Sequence, residues 1–69
     1  MKTKFYIFEG AAMPYLCKVE NNTFYVHTPH SWVKNNHYSN NLDNGYPIGV
    51  FFREISKEDA FKHILENSL

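Results

Sequence analysis

The chain has 69 residues, and seven lysines and arginines balance seven aspartates and glutamates, so its formal net charge is zero. That balance removes the basic footprint of a nucleic-acid or anionic-membrane binder and the acidic surplus of a nucleic-acid mimic. Cys17 is the only cysteine, which excludes an internal disulfide, and no apolar run approaches the ~20 residues that span a bilayer.

A chain this short has room for one thin core and buries only about 60% of the surface it exposes when unfolded. Apolar burial set against roughly 1.5 kcal/mol of ordering entropy per residue leaves a balance near zero. Rich aromatic packing, a metal or a partner subunit must tip it. Six phenylalanines, five tyrosines and one tryptophan supply the first, since each such ring buries on the order of 150–250 Å². The opening "MKTKFYIFEG" carries lysines but no apolar core of signal-peptide length. With the lone cysteine, this leads us to expect a cytoplasmic location. Abundant Asn, Lys, Phe and Tyr match the products of AT-rich genomes, such as those of low-GC bacteria and their phages.

In chain order, "TKFYIF" is a β-rich run with aromatic residues on both faces, which predicts a central or well-covered strand. "EGAAMP" is a connection. "YLCKVENNTFYVHT" reads as a hairpin over residues 15–28, because Asn tolerates the positive φ of a two-residue type I′ turn at Asn21-Asn22. Such a turn pairs Glu20 with Thr23, Val19 with Phe24, Lys18 with Tyr25 and Cys17 with Val26. One face then collects Tyr15, Cys17, Val19, Phe24 and Val26. The other collects Leu16, Lys18, Glu20, Thr23, Tyr25 and His27, so apolar and polar residues sort in a single register.

Residues 29–46 fit neither period. A segment this long in so small a domain is expected to be an ordered loop, with short helical turns pinned by Trp32 and Tyr38. "PIGVFFREI" predicts a further strand opened by Pro47, with Gly49 marking a bulge or a close backbone approach. In "SKEDAFKHILENSL", Ser56 is a natural N-cap and Asp59 a short form of the capping-box acid. The predicted helix covers residues 56–67 and carries the stripe Ala60, Phe61, Ile64 and Leu65, extended by Leu69 if the helix reaches it.

These elements predict a single α+β domain over 1–69. It is a small three- to four-stranded, mainly antiparallel sheet with the C-terminal α-helix packed on one face. The expected core is Phe5, Ile7, Val19, Phe24, Val26, Val50, Phe52, Phe61, Ile64 and Leu65. On that packing, Phe61→Ala costs roughly 3–5 kcal/mol.

Three of the four histidines fall within "FYVHTPHSWVKNNH". His27, His30 and His37 would offer three imidazoles to a metal, but H-x-x-H-x6-H is no zinc signature. The hairpin register also puts Cys17, the natural fourth ligand, on the face opposite His27. The blander assignment, surface imidazoles on a strand end and a loop, is preferred, and no metal or cofactor is expected. Cys17 on an apolar face behaves as a small hydrophobe rather than a nucleophile. There is no nucleophile elbow, phosphate loop or pair of carboxylates, so no enzymatic activity is expected.

What remains is a small protein-interaction module. Its aromatic side chains exceed what one thin core hides, and aromatic residues anchor interfaces. Trp32, Tyr38, Tyr46, Tyr25 and His27 are the candidate contact residues, with a core plug as the rival role for Trp32 and a turn position for Tyr46. The partner would be another protein, or a second copy in a homodimer. The sharper form is a phage or mobile-element protein that binds and inhibits or modulates a host protein. The alternative is single-stranded nucleic-acid binding through an aromatic sheet face carrying Lys18, Tyr25 and His27, with Lys4 and Tyr6 alongside.

Overall fold

The structure, a computed structural model, describes residues 3–29, 31–43, 46–47, 49 and 51–67. Among these, β1 (Thr3–Phe8), β2 (Tyr15–Glu20), β3 (Thr23–His27), β4 (Trp32–Lys34) and β5 (Phe52–Ile55) form one antiparallel sheet, in the order β4-β3-β2-β1-β5. Helices α1 (Asn36–Ser39) and α2 (Lys57–Asn67) complete an α+β fold. The sheet has one strand more than the sequence predicts, because Trp32–Lys34 pairs with β3 instead of remaining in a loop.

β1 lies between β2 and β5, and three consecutive residues, Phe5, Tyr6 and Ile7, are buried. Successive strand residues point to opposite faces, so consecutive burial means that both faces are covered. The hairpin has the predicted register, Cys17 with Val26 through Glu20 with Thr23. Asn21 and Asn22 take φ of 53° and 57°, the left-handed pair a type I′ turn needs.

Register divides the sheet into two faces. Phe5, Ile7, Leu16, Lys18, Tyr25, His27 and Trp32 share one, which we call the helix face. Phe5, Ile7, Leu16 and Ala60 form its buried cluster, with Trp32, Ile55 and Ile64 packed against it. The opposite, loop face has Tyr6, Cys17, Val19 and Phe24 at its centre, with Phe8, Val26, Tyr38, Leu42 and Phe52 around them. Leu16, grouped by pattern with the polar residues of its strand, is fully buried under α2.

The chain leaves β4 at one edge of the sheet and returns as β5 at the other, a span of roughly 19 Å for five strands. Between the two strands, Tyr38 and Leu42 pack on the loop face. Asn35 caps α1 by accepting a hydrogen bond from the Tyr38 N–H at 2.9 Å. Ser39 Oγ accepts from the Phe24 N–H at 2.8 Å and donates to the Asn35 carbonyl at 2.6 Å, fastening α1 to β3. Gly49 has a φ of 134°, open to glycine and strained for other residues, and so turns the chain toward β5. The strand begins at Phe52, later than predicted.

Ser56 caps α2 as expected, accepting from the Asp59 N–H at 3.1 Å. The buried side of the helix is narrower than its apolar stripe. Ala60 is fully buried and Ile64 half-buried, whereas Phe61 is 50% and Leu65 68% exposed. These two correct the predicted core. The reason lies in the sheet, whose helix face is apolar under β1 and Leu16 but turns polar at Lys18 and Glu20, so the helix rests on one edge of its stripe. The expected core residue Val50 and the stripe extension Leu69 lie outside the described residues. No helix among the described residues is long and apolar enough to cross a membrane.

Candidate functional site

The rest of the helix face, not covered by α2, forms a groove of about 430 Å³ lined by Thr3, Phe5, Lys18, Glu20, Trp32, Lys57 and Phe61. Four elements build it, with β2 contributing Lys18 and Glu20. β1 supplies the floor through Phe5, whose ring centroid lies 6.2 Å from that of Trp32 and 6.4 Å from that of Phe61. β4 supplies one wall through Trp32, and the first turns of α2 supply the other through Lys57 and Phe61.

Each wall carries an ammonium group. Lys18 Nζ stands 4.6 Å from the Trp32 ring centre and 5.2 Å from that of Tyr25, while Lys57 Nζ stands 5.6 Å from the Phe61 ring. Such contacts are worth about 0.5–1 kcal/mol at exposed sites. Glu20 is the one carboxylate in the lining. It accepts a 2.6 Å hydrogen bond from Thr3 Oγ1 and lies 3.9 Å from Lys18. Lys34, opposite Tyr25 on the same face, has no carboxylate within ion-pair reach among the described residues, nor has Lys57. The chain is neutral overall, yet this face is locally basic.

The candidate contact residues do not form one surface. Trp32, Tyr25 and His27 share the helix face, and Trp32 is both packed and open: it lies against Phe5 while staying half-buried. Tyr38 and Tyr46 lie on the loop face. Tyr38 packs on Phe24 and Phe52, with ring centroids at 5.0 and 5.5 Å, and serves the core there. Tyr46 is exposed, and its hydroxyl accepts a hydrogen bond from Lys4 Nζ at 3.2 Å. Lys4 and Tyr6, expected beside Lys18, are on the loop face because Phe5 is the residue paired with Lys18. Tyr6 is buried, and its hydroxyl has no hydrogen-bond partner among the described residues.

The histidines are also divided. His27 is on the helix face and His37 on α1 over the loop face, so the three-imidazole set does not converge. His30 lies outside the described residues. No group of three His, Cys, Asp or Glu side chains among the described residues is placed to hold a metal ion. His27 has a different neighbour, His63 of α2. Both line a cavity of about 150 Å³ with Tyr15, Leu16 and Ile64. Burial, and secondarily the positive charge His63 can carry, lower the His27 pKa from its ordinary 6.5. Cys17 is fully buried on the loop face, and its thiol donates to the Tyr6 carbonyl at 3.5 Å. Burial pushes its pKa up to about 12, which leaves no thiolate for chemistry at neutral pH.

Sequence reasoning missed Phe61, Lys57 and His63 as surface partners of the sheet. One signal was available in Leu16, an apolar residue in a polar row, which marks where a helix settles on that face. Comparison of the chain with protein-family models, curated proteins and solved structures found no match in any of the three.

Proposed function

We propose that the protein is a small interaction module that docks another protein on its helix face, and that it is not an enzyme. The observation that carries this reading is the unused half of the α2 stripe. Phe61, 50% exposed, lines a groove that also presents the half-buried Trp32, and Leu65, 68% exposed, continues the same stripe one turn further along α2. Exposed apolar side chains gathered beside a polar rim mark interaction sites, and a buried aromatic anchor in a pocket is the usual energetic centre of one. A phage or mobile-element product that modulates a host protein is the finer form of the proposal; small size and balanced charge support it.

A second reading is single-stranded nucleic-acid binding, favoured by Lys18, Lys34, Tyr25 and Trp32 standing on one face. Against it, Lys18 covers the rings that bases would stack on, and phosphate affinity grows with the number of cations, which is small here.

The test pairs affinity capture from a cognate cell lysate with the solution mass of the protein alone. Wild type is compared with the double variant Phe61→Glu, Leu65→Glu. The proposal expects a stoichiometric protein partner, or a homodimer, that is lost in the variant while the circular dichroism spectrum is kept. A partner retained by the variant would move the interface off α2, and a monomer that captures only nucleic acid would replace this reading with the second.

A further inference from the structure

We infer that the groove between Trp32 and Phe61 takes a segment of a partner protein that presents an apolar or aromatic side chain beside a glutamate or aspartate. The inference rests on the protein-interaction reading and specifies the chemistry of the partner.

Shape supplies the apolar half. Phe5 is only 8% exposed and spans the interval between Trp32 and Phe61, so the three rings make one continuous trough. A volume of about 430 Å³ suits one or two side chains inserted from above.

Charge supplies the acidic half. Lys18 and Lys57 stand at the two walls, and the only carboxylate in the lining, Glu20, is already held by Lys18 and Thr3. Lys57 has no carboxylate within ion-pair reach among the described residues. An incoming carboxylate therefore meets an uncompensated cation, and an incoming ammonium meets two cations and a carboxylate already engaged. Rim charges of this kind set specificity and association rate.

A nucleic-acid strand is also an anion, but the geometry favours a peptide. The Trp32 and Tyr25 faces are occupied by Lys18 at 4.6 and 5.2 Å. The groove also holds a carboxylate, Glu20, where nucleic acid requires a cationic track with open stacking platforms.

Trp32 is the chain's only tryptophan, so its fluorescence reports on the groove. The purified protein is titrated with a short synthetic peptide carrying one phenylalanine flanked by glutamates, with the same peptide flanked by lysines, and with oligothymidylate. The expected result is a saturable change in Trp32 emission, with the glutamate peptide bound at least about fivefold more tightly than the lysine peptide at low salt. Added salt should narrow the difference. Lys57→Glu should reverse the preference, and Phe61→Ala should weaken the glutamate peptide by about fivefold or more. Lys57 is exposed and Phe61 half exposed, so both variants are expected to keep the fold; Lys57→Gln, which should abolish the preference, is the milder check. Equal affinity for the two peptides, a preference that survives Lys57→Glu, or no response to any probe would overturn the inference. Tighter binding of the lysine peptide would overturn it and leave the interaction reading standing. A response to oligothymidylate alone would remove both.

Discussion

Phe24 and Phe61 both stand at positions that the apolar pattern assigns to the core, and their environments differ. Phe24 is fully buried, with Tyr38 and Phe52 rings at 5.0 and 5.6 Å, whereas Phe61 leaves half its surface in water. Truncating the first opens a cavity in a close-packed cluster, so Phe24→Ala is expected to cost about 3–5 kcal/mol, most of the stability of a domain this size. Truncating the second forfeits only half a transfer free energy, and the figure for Phe61→Ala falls to about 1 kcal/mol. Urea unfolding of the two variants separates them; equal losses would mean that α2 buries Phe61 after all. The difference could not be read from the residues, because each satisfies its own strand or helix period. It follows from what faces them across the sheet.

At the scale of elements, legibility follows the range of the interactions. The hairpin is local: Asn21 and Asn22 set the turn, the turn sets the register, and alternation confirms it within a few residues on either side. Asn22 holds a φ of 57°, a conformation that costs most L-residues roughly 1–2 kcal/mol and asparagine less. Asn22→Val is therefore expected to destabilise the protein by about 1 kcal/mol, and Asn22→Gly to match or exceed wild type, both read from the urea midpoint. Two equal midpoints would mean that the turn is not type I′. The start of α2 is local too, since Ser56 and Asp59 announce it. β4 is the opposite case. Three residues, Trp32–Lys34, carry no periodic signal and become a strand only because β3 offers them a free edge. Within 29–46, a short helical turn was accordingly legible, as α1 now shows, and the strand Trp32–Lys34 was not.

For the whole molecule, the decisive contact joins the two ends of the chain order. α2 returns to lie on β1 and brings His63 to the side of His27. The His27 pKa is lowered in the folded state, so the unfolded chain binds the proton more readily. Its contribution to stability is thus full above the ordinary value of 6.5 and is lost as pH falls below that, through the lower folded value. Wild-type stability should decline in that acidic window more steeply than that of His27→Gln, which has no proton to take up there. Thermal unfolding of both proteins across a pH series checks this, and parallel curves would remove His27 from the account.

Taken alone, the sequence determined what short-range chemistry controls: an α+β chain without a basic surplus, a hairpin in one register, a capped C-terminal helix and a thiol turned inward. It also singled out Trp32, Tyr25 and His27, which do share a face. Only the tertiary structure decided which apolar residues are hidden. Among the described residues the sheet has two faces and one long helix, and Tyr38 and Leu42 pack on the face that the helix leaves. Phe61 and Leu65 stay exposed because α2 sits where Leu16 interrupts a polar row and rests on one edge of its stripe. That placement leaves Lys18, Lys57 and Trp32 around an open groove, a juxtaposition of residues from three separate elements that no local pattern encodes.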